Sequence, residues 1–118
     1  MNAFPFKVHF VNGALSGSPE QMHQILAEFD SPDLLRHKAL FDKYGLDEGL
    51  LSLVDFTALI IENNSPELLD HLDFNEEGYL LDIYADSEAA VQDFVSNICP
   101  AFRDIKELES YVQRIVSE

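Results

Sequence analysis

Tryptophan is absent from this chain, cysteine occurs once, and only seven of the 118 residues are Lys or Arg. Each scarcity removes a class of protein. The lone Cys99 cannot close an internal disulfide, so nothing asks for an oxidising compartment. It sits at an apolar helix end, Ile98-Cys99-Pro100, with no base or cation close in sequence. That is the setting of a buried, inert thiol and not of a nucleophile. Without clustered Lys or Arg, phosphate contacts cannot be made in number, which argues against nucleic-acid binding. No apolar run approaches the ~18 residues of a membrane span. Met1 to Lys7 also lacks the basic region and apolar stretch of a secretory signal. The expectation is a cytoplasmic protein that neither spans nor binds a membrane.

What is present begins with core volume. Apolar residues make up 47% of the chain, and nine Phe and four Tyr supply bulk. A chain of this length can bury a core without metal or disulfides, and no linker or low-complexity segment divides it. We therefore read residues 1–118 as a single domain, a monomer or weak dimer.

Periodicity points to an α+β fold. Phe4 to Val11 alternates as a strand, with Phe6, Val8 and Phe10 on one side and Lys7, His9 and Val11 on the other. Asn12-Gly13 is a turn signal. Ser18-Pro19-Glu20, Ser31-Pro32-Asp33 and Ser65-Pro66-Glu67 each place Ser, Pro and an acid where a helix opens, and Gln21 completes a capping box. They predict helices near 19–29, 32–43 and 66–72. Gly45 ends the second, and Leu46–Leu53 is a candidate for a further strand. Residues 53–63 carry helical spacing at Phe56, Leu59 and Ile60. A turn at Asn75-Glu76-Glu77-Gly78 leads into a strand from Tyr79 to Ala85, with Tyr79, Leu81 and Ile83 on one face and Leu80, Asp82 and Tyr84 on the other. A helix capped by Asp86 or Ser87 buries Val91, Phe94, Val95 and Ile98 and stops at Pro100. The last opens at Asp104-x-x-Glu107 and buries Ile105, Leu108, Val112 and Ile115. The sum is a small antiparallel sheet packed with several α-helices.

Charge is the dominant feature. Twenty-two acids against seven bases give a formal charge of −15. No Lys or Arg lies between Tyr44 and Phe102, while that interval holds thirteen acids. Local i,i+4 pairing cannot balance them. The densest part carries Asp70, Asp73, Glu76, Glu77, Asp82, Asp86 and Glu88 beside the aromatic Tyr84. Acids next to exposed aromatics suit a protein-binding surface, and these eight residues form the candidate partner-binding set.

Catalytic and metal chemistry find little support. Asp73, Asn75 and Glu77 with Gly78 imitate the start of a calcium loop, but the position that needs a bidentate Glu is Tyr84. His9, His23, His37 and His71 lack metal-ligand spacing and read as surface or boundary residues. Gly13-x-x-x-Gly17 lacks the Lys of a phosphate loop. Carboxylate pairs such as Asp82 with Asp86 are expected by chance in so acidic a chain. No catalytic residue, metal or cofactor is assigned, and the chain is read as a non-enzyme.

From Phe41 onward the chain resembles the immunity protein fifty-one family of bacterial polymorphic-toxin immunity proteins. The resemblance rests on Phe41-Asp42-Lys43-Tyr44-Gly45-Leu46-Asp47-Glu48-Gly49, Leu59, Pro66-Glu67-Leu68, the acidic Asp73–Glu77 with Tyr79–Ala85, and Ile105–Val112 with Leu108. Phe56 is the nearest residue to the Trp that the family tends to place after its Gly-containing loop. The resemblance implies a small bacterial cytosolic protein that neutralises a cognate toxin domain, many of which are basic nucleases. The alternatives are an acidic chaperone or adaptor for a secreted effector, which would leave its partner active, and a nucleic-acid-mimicking inhibitor.

Overall fold

The computed structural model describes residues 3–10, 23–46 and 48–116. Strands β1 (Lys7–Phe10), β2 (His23–Glu28), β3 (Leu72–Glu77) and β4 (Leu80–Ala85) form one antiparallel sheet in the order β1-β2-β4-β3. Helices α1 (Leu35–Lys43), α2 (Leu53–Asn64), α3 (Glu88–Asn97), α4 (Cys99–Arg103) and α5 (Ile105–Val116) complete the described elements, with 3-10 turns at Pro32–Leu34 and Pro66–His71. The α+β class expected from the sequence is the class observed.

Helix starts follow local chemistry. The hydroxyl of Ser52 accepts the Asp55 N–H and that of Ser87 accepts the Ala90 N–H, so Ser87, not Asp86, is the cap of α3. Asp104 Oδ1 accepts the N–H groups of Lys106 and Glu107 at the start of α5. Helix α1 ends in a Schellman motif: Leu46 N–H donates to the Phe41 carbonyl and Gly45 N–H to that of Asp42. Gly45 adopts φ +86°, and a Cβ there would meet Leu50 at 2.9 Å, so the position demands glycine twice over. Pro100 lacks the N–H that a continuing helix needs; it ends α3 and sits in the first turn of α4.

The core is aromatic. Phe29, Phe41, Phe56, Phe94 and Phe102 are fully buried, and Phe6 joins them. The rings meet largely edge to face, Phe29 on Phe41 at 4.8 Å and Phe6 on Phe102 at 4.9 Å. Ile25, Ala27, Leu81, Ile83 and Ala85 close the core from the sheet. Cys99 is buried there, and burial pushes its thiol up to about 12, so it stays protonated.

Several expectations need correcting. The helix expected over 19–29 falls partly outside the described residues, together with the Asn12-Gly13 turn, but 23–28 is strand β2. Its Ile25 and Ala27, followed by Phe29, face inward with the period of two that marks a strand. The helix at 66–72 is a 3-10 turn ending at His71, because Leu72 already pairs with Ala85. Asn75, Glu76 and Glu77 belong to β3. The turn is the two residues Gly78 and Tyr79, with Gly78 at φ +60° as a II′ hairpin turn requires. Among the described residues of Leu46–Leu53 there is no strand: Gly49 at φ +76° interrupts an extended run, and α2 starts at Leu53. His37 is not a boundary residue. It is 4% exposed and its Nε2–H donates to the Phe102 carbonyl at 2.7 Å.

Candidate functional site

Because side chains alternate across a strand, pairing register decides which residues share a face. On the side away from the core, three rows cross the sheet. His9, Gln24, Tyr84 and Asp73 form one; Lys7, Leu26, Asp82 and Asn75 the next; Glu28, Leu80 and Glu77 the third. This open face carries four acids, Glu28, Asp73, Glu77 and Asp82, and one lysine, Lys7, at its β1 end.

The face is organised around Gln24. Its Nε2 donates to Asp82 Oδ1 at 2.8 Å and to Tyr84 Oη at 3.5 Å. Partial burial raises the Tyr84 phenol above its ordinary value, and the neighbouring Asp82 charge adds to this, so the hydroxyl stays protonated and able to donate. Asp82 is thereby held in one orientation, its carboxylate still partly open to a partner.

Of the eight sequence-derived candidates, Asp73, Glu77, Asp82 and Tyr84 lie together on this face. Asp70 and Asp86 border it, lining with His71, Leu72, Asp73 and Tyr84 a polar depression of about 300 Å³. There Asp86 Oδ2 accepts from His71 Nδ1 at 2.8 Å. The hydrogen bond and charge of Asp86 raise the His71 pKa, and the same bond holds Asp86 below the usual carboxylate range. Glu88 lies apart, exposed in the first turn of α3, where a negative charge suits the helix dipole.

Glu76 turns the other way. Its register partner is the core-facing Leu81, and its carboxylate reaches the start of α2. Oε1 accepts from the Ser52 hydroxyl at 2.7 Å and Oε2 from the Leu53 N–H at 2.9 Å. It acts as a second cap for that helix, a structural role that adjacency to Glu77 conceals.

Sequence reasoning missed Gln24, Leu26 and Glu28 because β2 was read as helix; the period-two pattern of Ile25, Ala27 and Phe29 was the available signal. The lysines of α1 do not neutralise the face. Lys38 pairs with Asp42 at 3.1 Å and Lys43 with Glu109 at 2.8 Å, both acids outside the base-free interval. Among the described residues, no group of three or more His, Cys, Asp or Glu is placed to hold a metal ion, and no helix is long and apolar enough to cross a membrane. What the face offers chemically is oriented negative charge, one hydrogen-bonding phenol and half-buried apolar patches at Leu26 and Leu80. No protein-family model, curated protein or solved structure matches the chain.

Proposed function

We propose that this protein is an immunity protein that binds and neutralises a basic toxin domain, docking it on the open face of the sheet. The observation that carries the reading is that Glu28, Asp73, Glu77 and Asp82 share with Tyr84 the sheet face turned away from the core, with Glu28, Asp73 and Glu77 exposed. The resemblance of residues 41–112 to the immunity protein fifty-one family supports it from the sequence side. The net charge of −15 draws a cationic partner to the protein, and the face then sets how it docks. Leu26, Leu80 and the Tyr84 ring supply apolar area between the charges. A toxin domain with a phosphate-binding cleft presents the complementary pattern, so seating it here would deny the cleft to its substrate. The protein acts without catalysis, in the cytosol of the producing cell.

The test needs a basic toxin domain that this protein binds, sought first in the neighbouring reading frames. An Asp73→Lys, Glu77→Lys, Asp82→Lys variant leaves the Glu76 cap of α2 intact. It is expected to keep its circular dichroism and melting transition, and to slow association about 10-fold or more at low salt. Cells carrying the toxin should lose protection. A folded triple variant that protects as well as the parent would remove this face from the mechanism.

A further inference from the structure

Among the described residues the sheet ends at β3, and the direction of its backbone groups follows from two contacts. Asp86 N–H donates to the His71 carbonyl at 3.1 Å, so residue 71 points toward β4. The two-residue hairpin makes Glu77 and Leu80 the closing hydrogen-bonded pair. Both contacts give one parity. Asp73, Asn75 and Glu77 bond inward, whereas Leu72, Phe74 and Glu76 direct their N–H and C=O groups away from the sheet. Among the described residues, no backbone group accepts from or donates to those outward groups. Such a row is a template for another strand.

The same parity sorts the side chains an incoming strand would meet. On the open side it lies beside Asp73, Asn75 and Glu77, all exposed. On the other side it lies beside Leu72, the half-buried ring of Phe74, and Glu76. Charge decides the occupant. A second copy of this chain would set acid against acid at a molecule of charge −15, which opposes self-pairing. A strand with Lys or Arg at alternate positions and apolar residues between them meets carboxylates on one side and Phe74 on the other.

We propose that β3 is a strand-addition site: an extended segment of the partner, alternating basic and apolar residues, pairs with the outward edge of Leu72–Glu77 and continues the sheet. The proposal rests on the reading that the partner is basic and gives the docking mode. Main-chain hydrogen bonds supply binding that depends little on sequence, and the acids of the open side fix which face of the segment turns outward.

The probe is a synthetic peptide in which Lys and Val alternate, added to the full chain at about 10 mM salt, where surface charges are weakly screened. Two further peptides carry N-methyl groups on all Val or on all Lys residues. A pairing strand directs only alternate N–H groups at its neighbour. One methylated series should therefore lose binding on the order of tenfold or more and the other should not: the Val series if pairing is antiparallel, the Lys series if parallel. Amide hydrogen exchange at Leu72, Phe74 and Glu76 should slow in the complex with the parent peptide. Two results overturn strand addition: the methylated series behaving alike, or edge amides exchanging as fast in a saturated complex as in the free protein. If the peptide then perturbs Asp73 and Asp82 only, the acidic face survives as a docking surface while the edge does not. Absence of any peptide binding also overturns strand addition, and toxin protection by the intact protein then judges the immunity reading separately.

Discussion

Leu80 and Leu81 are adjacent in β4 and chemically identical, yet their surroundings are opposite. Leu81 is fully buried against the helices, while Leu80 lies half-buried between Glu28 and Glu77 on the open face. The comparison runs along the strand: Ile83 and Ala85 belong with Leu81, and Asp82 and Tyr84 with Leu80. One side of the sheet has spent its chemistry on the fold, and the other retains side chains that the fold does not need. The sharpest way to break this comparison is to truncate both leucines. Leu81→Ala should cost about 2–5 kcal/mol, the range for deleting a buried leucine side chain. Leu80→Ala should cost well under half of that. Denaturant midpoints at unchanged slope measure both. Equal losses would mean that the open face is packed as tightly as the core and is no docking surface.

How far the sequence disclosed this two-sidedness differs from strand to strand. In β4 the alternation was legible, and Leu81 and Ile83 were assigned to one side and Leu80, Asp82 and Tyr84 to the other as the structure has them. In β2 the same alternation was present at Ile25, Ala27 and Phe29, but a Ser-Pro-Glu-Gln helix start just upstream outweighed it. In β3 the signal was weaker. Asp, Asn and Glu are poor strand formers, so Leu72 and Phe74 alone marked an inward side. The residues act as a strand because β4 is there to pair with, a non-local fact that single-sequence propensity does not contain. The candidate site was legible as charge density only. Separating Glu76 from Glu77 required the register, and finding Gln24 required β2.

That pair of glutamates gives the next contrast. Glu76→Ala removes the carboxylate that accepts from Ser52 and Leu53, and loss of a helix cap costs about 0.5–2 kcal/mol. Glu77→Ala leaves no partner stranded and relieves like-charge repulsion, so its stability should stay within about 0.5 kcal/mol of the parent. For association with a basic partner the order should reverse, with Glu77→Ala slowing it more. Equal behaviour of the two variants in both measurements would contradict the register that places them on opposite faces.

The smallest effect, and the most specific to the two environments, is pH dependence. His37 is buried against Phe29 and Phe102, and burial lowers its pKa below 6.5, the bond to the Phe102 carbonyl opposing the shift only in part. A depressed folded-state value means that the unfolded chain takes the proton first. Stability is then full above about 6.5 and falls as pH drops from there toward the folded value. His71 has the opposite sign. Its hydrogen bond to Asp86 raises its pKa, so the stability it contributes is present below about 6.5 and is lost as pH rises through the folded value. Asp86, held low by the same bond, withdraws that contribution again once pH falls through its own folded value. Melting temperatures between pH 5 and 8 should therefore lose their acid-side decline in His37→Gln, which keeps a donor for Phe102, and their alkaline-side decline in His71→Gln. Salt separates the two further. The exposed His71–Asp86 pair is open to screening, whereas the penalty on His37 comes from burial and persists at high ionic strength. An acid-side decline that survives His37→Gln unchanged, or that disappears from the parent protein on adding salt, would place its origin among the surface carboxylates and not in the core.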